Sequence, residues 1–360
     1  MDKQFIKKIN RAIRNTRPSF SPDKLCDVFL SGDLLEIGFL SKQCRNDMAG
    51  ACLLCDYGKM DTIGTHQAYI EEMNDILNKH PDGIKYLLLC SNGSILDEYQ
   101  IPTELLKDIL LIAQNCSIPE IIIETHYRDI SIPKLNLLRD IVHKPITIEM
   151  GLETINPTYQ AAFFMKGIEM QHYEKTISLI QKYGYDIELN LMLGLPFLTV
   201  KEQLNDAKNT INWIHAHGCT PVVFPVNIKP HTMLRYIYDK GLYQPISLWL
   251  LVLLLDELEP EILKHVIVAW YGNRDESYPD DIPTILPQCC AKCSELFVKF
   301  FRDFLDSDQY VLRKKLIQNL FATAQCDCLT QLKNQIIQCK QLNFCAKYEH
   351  FYEQIVKDFG

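Results

Sequence analysis

Between about residues 34 and 228 the chain alternates two patterns: short apolar runs, and longer stretches whose apolar residues recur at three- and four-residue steps. The short runs are bounded by turn residues and read as strands, whereas the stepped stretches gather their apolar side chains on one face and read as amphipathic helices. Strands are predicted at 34–40, 84–90, 120–124, 146–151, 187–193 and 221–226, and helices at 69–79, 102–115, 132–142, 172–183 and 200–215. Regular strand-helix alternation builds a parallel sheet covered by helices. Six such repeats predict an α/β fold, a partial (βα)6 TIM-like barrel. After residue 228 the pattern turns mostly helical, broken by a Pro- and Asp-containing loop at 272–287, and the apolar run 249–255 reads as a buried helix. The expected organisation is a basic helical segment at 1–30, the partial barrel at 31–230, and a helical, cysteine-containing cap at 231–360.

A chain of 360 residues with 47% hydrophobic and 23% charged positions can bury a large core and carry an appendage. The apolar run 246–255 is too short to span a bilayer, and the charged, amphipathic opening lacks the apolar core of a secretory signal. Cytoplasmic residence is therefore expected. In a reducing compartment the fourteen cysteines are thiols free for metals or clusters, not a disulfide framework. The net charge of -8 argues against a broad phosphate-binding surface. Positive charge concentrates in the opening segment, where Lys3, Lys7, Lys8, Arg11, Arg14, Arg17 and Lys24 face only Asp2 and Asp23. The expectation for that run is a solvated helix face on the barrel exterior.

The sharpest chemical signal is the trio Cys44, Cys52 and Cys55, directly after the first predicted strand. A four-iron four-sulfur cluster held by three thiolates leaves one iron open to an external ligand, whereas a structural zinc site wants a fourth Cys or His nearby. The next cysteine, Cys90, is far downstream, and Tyr57 beside the trio suits a flat organic ligand. In parallel barrels chemistry collects at the C-terminal strand ends. That rule selects Asn92, Gly93 and Ser94 after the second strand, where glycine permits close backbone approach and the flanking side chains hydrogen-bond a carboxylate or ammonium. It selects Glu124 after the third strand, and Glu149 and Glu153 around the fourth, as acidic groups for an ammonium, ribose hydroxyls or a cationic substrate. Two-residue alternation puts Glu149 and Glu153 on one face. Asn190, inside an apolar strand, needs a buried partner, either a ligand hydroxyl or a neighbouring backbone group. His126, Arg128 and Lys166 offer positive charge to a carboxylate, with a solvated loop the plainer expectation for Lys166. Cys289, Cys290, Cys293, Cys326 and Cys328 form a second cysteine group, a candidate second metal site for zinc or another cluster, with Cys339 and Cys345 as spares.

The cysteine loop after strand one, the Gly-containing turn after strand two and the run Gly151-Leu152-Glu153-Thr154 together resemble the radical S-adenosylmethionine (SAM) superfamily across roughly residues 30 to 230. Seven residues separate Cys44 from Cys52, where the superfamily's commonest spacing has three. A narrower likeness is to the radical SAM subunit of archaeosine synthase, in a branch neighbouring the elongator catalytic subunit. It rests on Ala51 to Gly58, Ser91-Asn92-Gly93-Ser94-Ile95-Leu96-Asp97, Val226-Asn227-Ile228-Lys229-Pro230-His231-Thr232, the run 241–249 and the pair Cys290 and Cys293.

The resemblance implies that Cys44, Cys52 and Cys55 hold a 4Fe-4S cluster and that SAM binds its open iron. It implies a flavodoxin- or ferredoxin-like electron donor, and a 5'-deoxyadenosyl radical that takes hydrogen from the substrate. The substrate it suggests is a guanine-type base in tRNA, modified by cleavage of a carbon-nitrogen bond in an attached amino-acid side chain, the RNA arriving alone or with a partner protein. Two alternatives stand beside it: the same radical step on a small molecule or peptide, and a zinc-stabilised binding module without catalysis.

Overall fold

The computed structural model describes residues 2–17, 24–57, 64–269, 283–287, 289–324, 326–337 and 343–360. Gly58, Cys339 and most of the predicted loop at 272–287 lie outside the described residues. The frame is one eight-stranded sheet with its strands in sequential order. They are β1 (Cys26–Ser31), β2 (Leu34–Phe39), β3 (Tyr86–Ser91), β4 (Glu120–Thr125), β5 (Ile146–Glu153), β6 (Asp186–Leu193), β7 (Thr220–Pro225) and β8 (Ile267–Val268). From β2 to β8 every pairing is parallel, and helices His66–Lys79, Thr103–Asn115, Ile132–Ile141, Met170–Lys182 and Val200–Ala216 provide the crossovers. The fold is therefore the partial (βα)6 barrel that the alternation predicts, with β2 to β7 as the six expected strands.

Two strands escaped the sequence pattern. Strand β1 runs antiparallel to β2 through a turn whose Gly32 has φ +59°, so it belongs to a hairpin and not to a strand-helix repeat. Strand β8 is two residues long and follows the helical stretch that reads as cap.

Alternation along each strand separates two environments. Ile37, Leu89, Ile123, Ile148 and Leu189 are fully buried in one continuous core with the surrounding helices. The residues between them include Glu36, Glu124, Glu149, Glu188 and Asn190, a polar set that period-two geometry turns to the opposite face, the barrel interior.

A second apolar cluster combines Ile6, Leu53, Phe163, Phe197, Leu234 and Phe351. The N-terminal helix Lys3–Arg14 and the C-terminal helix Phe344–Phe359 both enter it, and the Phe5 ring meets Tyr352 edge-on. The two ends of the chain thus close together over the cysteine loop. This corrects part of the expectation for the basic opening segment: Lys3, Lys8 and Arg11 are exposed, but Arg14 and Arg17 are buried. The reason is that they satisfy the loop beneath them, as described below. The cap is mostly helical, and Trp249 is fully buried in helix Leu248–Asp256, stacked on Phe321 and edge-on to Phe297. Among the described residues no helix is long and apolar enough to cross a membrane.

Candidate active site

The loop after β2 carries Cys44, Cys52 and Cys55. Cys44 caps the single-turn helix Arg45–Met48, and its backbone N–H donates to the Tyr57 carbonyl at 3.1 Å, closing the loop on itself. An irregular buried loop leaves carbonyls without partners, each costing about 1–3 kcal/mol if unmet. The N-terminal helix meets that need. The Arg14 guanidinium donates to the carbonyls of Asp47 (2.6 Å), Cys52 (3.1 Å) and Cys55 (3.0 Å) and pairs with the Asp47 carboxylate. One turn earlier, the Asn10 amide donates to the carbonyls of Gly50 (3.1 Å) and Cys52 (2.9 Å). Gly50 sits at φ +72°, and a Cβ there would lie 2.4 Å from the Lys7 carbonyl oxygen, so helix and loop are in backbone contact. Next to Cys55, buried Asp56 pairs with Arg17 and Lys229, each at 3.3 Å, while the Lys229 ammonium sits 4.7 Å from the centre of the Tyr57 ring. A face of Tyr57 therefore carries a cation.

Burial pushes the Cys52 thiol up to about 12 and raises Cys44 and Cys55 as well, and Cys44 and Cys52 both act electrostatically on Cys55. The loop after β3 presses on the first of them. A Cβ on Gly93 would fall 2.8 Å from Cys44 Sγ and 3.0 Å from Cys44 Cβ, so only glycine fits without a shift. Asn92 and Ser94, on either side, are buried and bonded within the chain. Asn92 Nδ2 donates to the Ser41 carbonyl at 2.7 Å, and Ser94 Oγ lies 2.8 Å from Thr125 Oγ1 and accepts from the His126 N–H at 3.1 Å. Gln100 completes the brace, taking the Ser94 N–H at 2.7 Å and donating to the Lys42 carbonyl at 3.0 Å. These residues fix the position of the β3 loop against the cysteine loop.

Beyond β5 stands an ion pair. Lys166 Nζ lies 2.9 Å from Glu153 Oε1, the two side chains being 14% and 7% exposed, which corrects the solvated-loop expectation for Lys166. Burial pulls the Lys166 ammonium down, but Glu153 and the thiols of Cys52 and Cys44 outweigh it and hold it well above its ordinary value. Glu153 adopts φ +69° where the β5–β6 register shifts, so it leaves the simple alternation that would pair it with Glu149. The lysine also helps keep His126 neutral: burial first, then Lys166 and Arg128, lower that imidazole to about 3.

Deeper in the barrel, Glu124, Glu149 and Glu188 occupy matching positions on β4, β5 and β6. Asn190 Nδ2 donates to Glu149 Oε1 at 2.7 Å. Glu188 is half-buried, and the loss of solvation together with the facing Glu149 pushes it up to about 8, so its carboxyl is largely protonated at neutral pH. Two buried polar atoms in this region, Asn190 Oδ1 and His126 Nε2, have no hydrogen-bond partner among the described residues. The structure thus gathers Cys44, Cys52, Gly93, Glu153 and Lys166 at one place and Glu149, Glu188 and Asn190 on adjoining strands. The contributors that the sequence pattern did not single out include Asn10, Arg14, Gln100 and Glu188. Asn10 and Arg14 share one helix face by their four-residue step, and Glu188 shares the face of Asn190 by its two-residue step; both periodicities were available as signals.

No family model matches the chain. It is similar to an uncharacterized protein of Methanocaldococcus jannaschii, 25% identical over 286 residues, or 74% of this chain and 78% of that one. It is also similar to the archaeosine synthase subunit beta of Methanosarcina acetivorans, 24% identical over 228 residues (61% of this chain, 65% of the relative). The subunit beta of Thermococcus kodakarensis is 25% identical over 211 residues (57% of this chain, 65% of the relative). The matched region thus spans 65% of the length of both archaeosine synthase subunits.

Proposed function

We propose that the chain is a radical SAM enzyme on the side of archaeosine synthase subunit beta, a reading its two relatives of that name support, and that Cys44, Cys52 and Cys55 hold a 4Fe-4S cluster whose open iron takes SAM. The observation that carries this reading is the sealed cysteine loop: three thiols that burial holds above their usual range, on a backbone whose carbonyls Arg14 and Asn10 satisfy. Such thiols ionise only when a cation compensates them, and a coordinating thiol is deprotonated outright. The donor set therefore fits an iron cluster. When bound, cluster and SAM supply an electron and a 5'-deoxyadenosyl radical that abstracts hydrogen from the substrate.

The protein's own share is placement and charge. Gly93 lets the β3 loop approach Cys44, while Asn92 and Ser94 hold that loop by their internal bonds and so act as positioning residues for SAM. Glu153 and Lys166 set charge beside the thiols, and Glu124, Glu149 and Asn190 present polar groups to a ligand in the barrel. The free Asn190 Oδ1 accepts one ligand hydrogen bond. Glu188, protonated at neutral pH, donates another.

For the substrate we infer a modified guanine-type base of tRNA, with carbon-nitrogen cleavage in its amino-acid side chain. The names of the two archaeosine synthase relatives support it. A partner protein that presents the RNA reconciles this with the net charge of -8. That charge favours a second reading, in which a small molecule or peptide takes the place of RNA.

The test is anaerobic reconstitution with iron and sulfide, then dithionite in place of the flavodoxin or ferredoxin, with chromatography for 5'-deoxyadenosine. The product is expected from the wild type and absent from Cys52→Ala. A colourless protein that gives no product would overturn the cluster. Retention of tRNA that weakens steeply with salt supports the RNA substrate, and its absence with 5'-deoxyadenosine still formed supports the small-molecule reading.

A further inference from the structure

We propose that Cys290, Cys293, Cys326 and Cys328 form a second and separate metal site that holds a single tetrahedral Zn2+ and pins the C-terminal helices together. The four sulfur atoms all lie within 4.8 Å of one another. Cys290 caps helix Ala291–Leu305 and Cys293 lies in its first turn, while Cys326 precedes, and Cys328 opens, helix Cys328–Ile337. Two helix starts, distant in sequence, therefore bring two thiols each to one point.

Distances choose the metal. A Zn–S bond of about 2.3 Å in a tetrahedron sets sulfur-sulfur edges of about 3.8 Å. The Cys290 and Cys293 sulfurs are 3.6 Å apart, and those of Cys293 and Cys326 3.0 Å. A cubane cluster places its irons at alternate corners of a cube, each with its thiolate pointing outward, so its four protein sulfurs stand much farther apart. The gathering is too tight for that and is sized for one ion. A disulfide would require about 2.05 Å. Cys289 stays outside the set, its sulfur 3.6 Å from Ser294 Oγ.

The Cys293 backbone N–H donates to the Cys290 carbonyl at 2.9 Å, closing the first turn of the helix that carries both sulfurs. The indole N–H of fully buried Trp249, beside the Cys293 sulfur, has no hydrogen-bond acceptor among the described residues. A buried donor turned to a sulfur gains a partner once that sulfur carries the charge of a metal-bound thiolate. The site would tie helices Ala291–Leu305 and Cys328–Ile337 to Trp249 and, through it, to helix Leu248–Asp256 against the barrel. All four ligand positions are protein sulfurs, so the ion is closed to substrate and structural in role.

The test uses the full chain, purified without added zinc, in three forms: wild type, the Cys44→Ala/Cys52→Ala/Cys55→Ala triple variant, and Cys290→Ser/Cys326→Ser. Elemental analysis should find about one zinc per chain in the first two and none in the third. Should the third fail to fold, cobalt loaded into the metal-stripped triple variant replaces it, and the intense visible bands of tetrahedral cobalt-thiolate are expected. Three results would overturn the proposal: no zinc and no cobalt-thiolate spectrum in the triple variant, iron-sulfur absorbance surviving in that variant, or a Cys293–Cys326 disulfide in anaerobically purified protein. Because the triple variant lacks the N-terminal thiols, failure here and failure of the cluster reading are read separately.

Discussion

The molecule carries two cysteine groups built on opposite plans. The N-terminal trio lies on an irregular loop, held by groups from elsewhere: Arg14 and Asn10 on its carbonyls, and Gly93 against Cys44. It adjoins a polar barrel interior and supplies three sulfurs. The C-terminal quartet sits at two helix starts and needs little beyond local geometry to bring four sulfurs within 4.8 Å. A complete, compact ligand set closes a metal off and stabilises a fold, while an incomplete set at a cavity leaves a place for chemistry. The expenditure of buried polar residues follows the same division, being heavy around the trio and light around the quartet.

The predictions sharpen this contrast. The largest effect is expected for Arg14→Ala, which removes the cation paired with the buried Asp47 carboxylate and one donor each from the carbonyls of Asp47, Cys52 and Cys55. Breaking a buried pair costs about 3–5 kcal/mol. Thermal melting and iron per chain should both fall sharply while zinc is retained, and equal loss of both metals would mean the two regions are not independent. Stripping zinc with a chelator should lower stability by on the order of 3 kcal/mol, the linkage expected for a tightly held ion. Melting would show it, with 5'-deoxyadenosine formation by the remaining folded protein unchanged. Gly93→Ala inserts a methyl group 2.8 Å from Cys44 Sγ. Overpacking of this kind costs about 1–3 kcal/mol. Cluster loading should drop and zinc content should not.

A pH-dependent effect is expected at Glu188. Its folded-state carboxyl is raised to about 8 from an ordinary 4.5, so the folded protein holds a proton that the unfolded chain has released. Stability from this group is therefore complete below pH 4.5 and declines as pH rises toward 8. Glu188→Gln should flatten that decline in denaturant titrations run across the interval, and an unchanged slope would contradict the assignment.

The barrel was legible in the sequence because its strands are short apolar runs set between stepped helices, and β2 to β7 follow that rhythm. Strand β1 hid because a hairpin edge does not repeat it, and β8 because two residues carry no period. The cysteine trio and quartet are local motifs and are visible as spacings. Their supports are not, since Arg14 finds Cys52 and Lys166 finds Glu153 only through the folded chain. Lys166 shows the physical reason. A lysine after a strand is ordinarily solvated, but in the fold the Lys166 ammonium sits 5.8 Å from the centre of the Phe164 ring and pairs with Glu153. Burial of Arg14 and Arg17 was hidden for the same reason, because their partners, main-chain carbonyls and the carboxylates of Asp47 and Asp56, meet them only in the fold.

The most direct test of the central claim, that the trio leaves a cluster with one open iron while the quartet is closed, is electron paramagnetic resonance of the reduced, reconstituted protein with and without SAM. The account predicts a cluster signal that SAM reshapes in the wild type and in zinc-stripped protein, and no signal in Cys52→Ala. A signal indifferent to SAM, or one that persists in Cys52→Ala, would contradict it.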